Sequence, residues 1–140
     1  MYFITICTQD RERIYGKIKN GIFTPSQIGA MIIQYWIQIE REFKNAKLDE
    51  YVVMPDHLHG VITLIEADVT TIGDIICSFK SRTTNCYIQN VRQNNWQPFN
   101  KRLWQRNYYE HIIRNEAELV KIRNYIRNNP LKYRGWPQAG

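Results

Sequence analysis

The sequence predicts an α+β fold of ferredoxin-like β-α-β-β-α-β order: an antiparallel sheet with two helices on one face, followed by an additional C-terminal helix. Three observations predict it. Apolar residues recur at helical spacing through Ile28, Ile32, Tyr35, Trp36, Ile39 and Phe43. Two β-rich stretches, Leu48 to Met54 and His57 to Ile65, are parted only by Pro55 and Asp56, as in a hairpin. A strand-like opening precedes the first helix, and a second helical pattern follows the hairpin.

Taken in order, Tyr2 to Thr8 is β-branched and aromatic almost throughout, which suits a central strand. Asp10 to Gly21 carries charge and glycine and reads as a loop or short ribbon. Thr24-Pro25-Ser26-Gln27 reads as a helix start, with Thr24 as the cap, Pro25 in the first turn and Gln27 completing a capping box. After the hairpin, a helix is expected from about Thr70 through Ile72, Ile75, Ile76 and Phe79, reaching towards Tyr87 and Val91. Asn94 to Lys101, with Pro98, breaks the pattern, and Leu103 to Arg106 is expected to form a fourth short strand. The last helix opens at Asn115, with Glu118 as its capping-box partner, and should end before Pro130. No repeat, low-complexity segment or linker interrupts residues 1–140, which read as a single domain.

The chain has 140 residues, 44% of them hydrophobic and 23% charged, which excludes a disordered tail. Its 19 Lys and Arg against 13 Asp and Glu give a net charge of +6, a balance that favours polyanionic partners. Cys7, Cys77 and Cys86 are odd in number and scattered, so a disulfide framework or zinc ribbon is not expected. Small thiols in a reducing cytosol fit better. No apolar run reaches the roughly 18–20 residues of a membrane span, and no signal peptide is evident. A cytoplasmic, nucleoid-associated location without membrane partners is expected.

His57-Leu58-His59 lies inside an apolar strand. Side chains alternate there, so both imidazoles leave one face and could share a metal. A satisfied pair of part-core histidines is the alternative. His111 could complete a three-histidine zinc site, but it fits a structural or phosphate-facing role better because no acidic metallohydrolase element accompanies it. On the last helix Lys121, Tyr125 and Asn129 are four apart and share a face. A cation, a phenol and a carboxamide in a row suit a phosphate clamp, a nucleophile and an oxygen ligand. On spacing alone, ordinary amphipathic packing of one among nine tyrosines is the stronger alternative. Lys101, Arg102, Trp104, Arg106, Tyr108 and Tyr109, and separately Lys80 and Arg82, mix cations with aromatics. That mixture suits unpaired bases and phosphates, or a solvated surface over core aromatics.

Three segments together resemble the HUH single-tyrosine transposases. Val52-Val53-Met54-Pro55-Asp56-His57-Leu58-His59-Gly60 is similar to their V-M-P-N/D-H-x-H signature. Trp104 to Arg114, reading WQRNYYEHIIR, is similar to W-Q-R-x-Y-Y-D/E-H-x-I-R, and Tyr125-Ile126-Arg127-Asn128-Asn129-Pro130 to Y-I-x-x-N-P. The opening Tyr2 to Thr8 is also typical, and the subgroup most resembled is the REP-associated tyrosine transposases.

The resemblance implies a DNA nuclease and strand transferase acting on single-stranded or hairpin DNA from repetitive palindromes or transposon ends. His57, His59 and Asn129 would hold Mg²⁺ or Mn²⁺, and Tyr125 on the last helix would form a 5′-phosphotyrosine link. Lys80, Arg82, Arg102, Trp104, Arg106, Lys121 and Arg127 would contact DNA. Asp56, which varies among relatives, reads as a turn residue only. Relatives carry a basic segment ahead of the first strand, and this sequence starts almost at that strand, so a reduced DNA-recognition surface is expected. Monomer and homodimer both stay open. An inactive hairpin-binding protein of the same fold and a zinc hydrolase are the competing functions.

Overall fold

In a computed structural model, which describes residues 1–65 and 70–132, the expected order is realised around a four-stranded antiparallel sheet. Its strands are β1 (Tyr2–Cys7), β4 (Ala46–Met54), β5 (His57–Leu64) and β6 (Tyr109–Ile112), in the spatial order β4-β5-β1-β6. A separate ribbon is formed by β2 (Gly16–Lys19) and β3 (Ile22–Pro25). The helices are α1 (Gln27–Ile37), the short α2 (Ile39–Glu42), α3 (Ile72–Asn94) and α4 (Glu116–Lys132).

Strand alternation gives the sheet two apolar faces. On one, Ile4, Ile6, Leu58 and Ile62 pack with Ile32 and Trp36 of α1 and with Ile75, Ile76 and Phe79 of α3. Trp36 lies so close over β5 that a Cβ at Gly60 would collide with its ring. Glycine there leaves room for the indole. On the other face a smaller cluster joins Val61 to Ile113, Leu119 and Ile126, with Phe3, Val52 and Ile122 packed against it. The C-terminal helix therefore covers the face that α1 and α3 leave open.

Three local expectations change. Ser26, not Thr24, caps α1: its Oγ accepts from the Gly29 amide at 3.0 Å, while Thr24 and Pro25 pair in the β2–β3 ribbon. The ribbon extends the strand pairing past the charged stretch and moves the helix start by two residues. The fourth strand is Tyr109–Ile112, not Leu103 to Arg106. Leu103 and Trp104 are buried in the core, and only a single bridge joins Trp104 to Thr8. An apolar plug mimics a strand in sequence, whereas a true edge strand such as Tyr-Glu-His-Ile carries little apolar signal. Finally, α4 runs through Pro130 to Lys132. Proline removes one helical donor, and the helix continues past that loss. The expected Asn115 cap forms on α4, its Oδ1 accepting from the Glu118 amide, and α3 opens on a reciprocal capping box of Thr71 and Asp74 that lies outside the sequence expectations. No helix among the described residues is long and apolar enough to cross a membrane.

Candidate active site

His57 and His59 leave β5 on the face covered by α4, while Leu58 between them enters the larger core. Cys7 and Met54 flank His57 in the pairing, and Thr5 and Val52 flank His59. The two rings are 4.6 Å apart between centroids and steeply inclined, and both residues are buried. Each has a fixed support at Nδ1. His57 Nδ1 lies 2.6 Å from Asp56 Oδ1, and His59 Nδ1 lies 2.8 Å from Thr5 Oγ1. A carboxylate can only accept, so the His57 ring must donate from Nδ1.

The local charges agree with this arrangement. Burial disfavours the charged Asp56 carboxylate, but the His57 hydrogen bond and charge, with Arg11 behind them, hold its carboxyl below the usual range. Arg11 Nε donates to Asp56 Oδ2 at 3.2 Å. Burial first, then the charges of His57 and Arg11, push His59 down to about 3. His59 is therefore a neutral imidazole at ordinary pH, the form that binds metals.

Tyr125 reaches this pair from α4. Its ring centroid is 5.3 Å from that of His59. Phe3 of β1 stacks on His59 at 5.5 Å and meets Tyr125 edge-on at 6.2 Å. Tyr125 is 49% exposed, so a bulky substrate can reach it. Asn129 stands one turn further along α4, and its Nδ2 donates to the Tyr125 carbonyl at 3.3 Å, so the carboxamide oxygen is the end that this bond does not use. Lys121 is exposed one turn before Tyr125.

The position of α4 depends on an irregularity in β4. Leu48 pairs with Ile62 but Tyr51 with Gly60, so one extra residue is accommodated between them. In a regular strand Asp49 and Glu50 would face opposite sides. Here both reach α4: Arg123 holds Asp49 at 2.8 and 2.7 Å, and Arg127 holds Glu50 Oε1 at 3.0 and 2.7 Å. Arg127 is thus engaged by protein.

The remaining sequence candidates are distributed differently. Trp104 is buried between Tyr15 and Phe79 and donates from Nε1 to Thr83 Oγ1, so its ring faces are occupied by the core. Arg82 pairs with Glu42 and lies over the Tyr35 ring, on the α1–α3 side. Lys80 caps the carbonyls of Gln105 and Arg106 at 2.9 and 3.0 Å and lies 5.6 Å from the Tyr108 ring centroid. With Arg102 and Arg106 it lines a groove of about 260 Å³. The Gln105 amide bonds the carbonyl of Cys7, whose strand partner is His57, so this segment borders the imidazole end of the sheet. His111 is tied to Glu118 at 3.0 Å, and no cluster of three or more His, Cys, Asp or Glu placed to hold a metal occurs among the described residues.

The donor set can be tested against a divalent metal. Two imidazoles whose Nδ1 atoms are engaged present Nε2 as the ligating atom, as histidine ligands ordinarily do. A carboxamide oxygen, water and phosphate would complete an oxygen-rich sphere. The residues fit. Asp56 and Thr5 escaped the sequence reading. Asp56 was expected only to turn the chain, yet it is completely buried and bonded to His57. Its one sequence signal is a carboxylate immediately before the imidazole pair. Thr5 needed the β1–β5 register, which the sequence does not display.

The sheet order and the C-terminal helix across its second face define a transposase-type fold, with an imidazole pair and a helix-borne tyrosine side by side on that face. The IS200-like transposase model matches residues 2–129, and the chain belongs to that family. It is 36% identical over 153 aligned residues to an uncharacterized Haemophilus influenzae protein, covering 93% of this chain and 79% of that one. It is 32% identical over 100 residues to the REP-associated tyrosine transposase of Escherichia coli K12, covering 71% of this chain and 52% of the relative. A REP-associated tyrosine transposase solved bound to a REP hairpin shares the fold, with TM-score 0.66 and 22% identity. The match covers 94% of this chain and 66% of the solved one.

Proposed function

We propose that this chain nicks and rejoins single-stranded, hairpin-containing DNA through a covalent 5′-phosphotyrosine intermediate, acting as one domain. The observation that carries the reading is the approach of Tyr125 to His59, 5.3 Å between ring centroids within one copy of the chain. A phenol beside two imidazoles able to hold a metal suits phosphoryl transfer, because charge develops at the attacked phosphate and needs a cation there.

His57, His59 and Asn129 would hold Mg²⁺ or Mn²⁺, which polarises the scissile phosphate when bound. The Tyr125 oxygen attacks phosphorus, its proton passes to solvent, and the bond to the 3′ oxygen breaks to leave a 3′-OH. The new tyrosyl phosphodiester retains the bond energy, so a 3′-OH can later reverse the step and rejoin strands. Phe3 holds the tyrosine ring against His59. Lys121 on the same helix face and Arg102 and Arg106 in the groove near His57 would meet phosphates, with Lys80 organising that groove.

A panel of single-stranded hairpin oligonucleotides with Mn²⁺, resolved on denaturing and native gels, tests the reading. Cleavage with a protein-linked product supports it. Hairpin binding with no cleavage at any Mn²⁺ concentration points instead to a binding protein of the same fold.

A further inference from the structure

Asp56 occupies the two-residue connection between β4 and β5, where polar residues ordinarily face water. Its carboxylate is instead completely buried. A buried charge is costly unless paired, and a neutral turn residue would avoid that cost altogether. The environment is built around it: Thr8 donates to its carbonyl from both the amide, at 3.0 Å, and Oγ1, at 3.1 Å. Arg11 takes one carboxylate oxygen at 3.2 Å, and His57 Nδ1 lies 2.6 Å from the other.

We propose that Asp56 is the positioning residue for His57: it fixes the Nδ1–H tautomer and the ring orientation, so that Nε2 is the nitrogen offered to a divalent cation. Thr5 holds the corresponding nitrogen of His59 with a neutral hydroxyl. The two ligands thus have unequal supports, and the carboxylate makes His57 the stronger donor. This inference rests on the metal-binding role given to the imidazoles above.

The test uses the whole chain as wild type, Asp56→Ala and Asp56→Asn, with circular dichroism melts to establish folding. Long-range ¹H–¹⁵N spectra of the metal-free protein report the His57 tautomer, and Mn²⁺ titrations followed by electron paramagnetic resonance report affinity. Wild type should show one Nδ1–H tautomer. Asp56→Ala should show a mixture and bind Mn²⁺ about 10–100-fold more weakly. Asp56→Asn keeps the shape and one accepting oxygen and should lose less, while still weakening. Unchanged tautomer and unchanged Mn²⁺ affinity in either folded variant would overturn the proposal. A wild type that binds no Mn²⁺ would defeat the metal reading, and the tautomer spectra would still decide the role of Asp56.

Discussion

Arg123 of α4 holds Asp49 of β4 through two parallel hydrogen bonds of 2.8 and 2.7 Å, one turn ahead of the Arg127–Glu50 pair. These contacts fasten the tyrosine-bearing helix to the irregular part of the sheet edge. Because the pair is partly solvated, Asp49→Ala should cost only about 0.5–1 kcal/mol. Hydrogen exchange should nevertheless speed up selectively in α4. The Arg123 hydrogen bond lowers the Asp49 carboxyl below its usual value, against a smaller effect of burial. A carboxyl lowered in the folded state stabilises above its unfolded value, near pH 4, and loses that contribution as the pH falls further. Protection of α4 amides should therefore drop below about pH 4 in wild type and change less in Asp49→Ala.

Tyr125→Phe should abolish the covalent protein–DNA adduct while leaving hairpin binding within about twofold, since the ring and its packing on Phe3 remain. Denaturing gels with labelled oligonucleotide read the adduct directly. An adduct that persists in this variant would assign the attack to another tyrosine.

His57→Ala and His59→Ala should each reduce Mn²⁺-dependent cleavage by at least about 100-fold, the scale expected when an electrostatic stabiliser is lost. Both should still form native secondary structure. Nicking by wild type that survives excess EDTA would eliminate the metal role.

Trp104→Ala should destabilise the fold by about 3–5 kcal/mol, because the indole fills the core between Tyr15 and Phe79 and its Nε1 satisfies Thr83. Urea denaturation measures this loss. Trp104→Phe should recover much of the stability, and hairpin affinity of the folded variant should match wild type. A folded Trp104→Phe protein with sharply weaker hairpin binding would return this residue to the DNA surface.

The sequence was most legible where periodicity and chemistry coincide. His57-Leu58-His59 revealed a strand and a shared face at once, and the structure keeps both imidazoles on that face. Asn115 and Glu118 marked the start of α4 through a local cap that needs no tertiary partner. Trp104 misled because a buried aromatic among arginines has the composition of a base-stacking surface, and burial is decided by residues far along the chain. Tyr109–Ile112 was invisible because an edge strand half in solvent needs no apolar pattern. Asp56 and Thr5 depend on partners set by strand register, and the Asp49–Glu50 irregularity depends on α4. Such relations become readable only when the chain is folded.

The paired carboxylates of β4 also give ionic strength two points of action. Added salt weakens attraction between a basic protein and a polyanion by making counterion release less favourable. It also screens the part-exposed arginine pairs that hold α4 against the sheet. Strand capture and the placement of Tyr125 thus share one environmental variable. Covalent product should fall more steeply with salt than hairpin binding does, and the excess slope measures how firmly the helix is fastened.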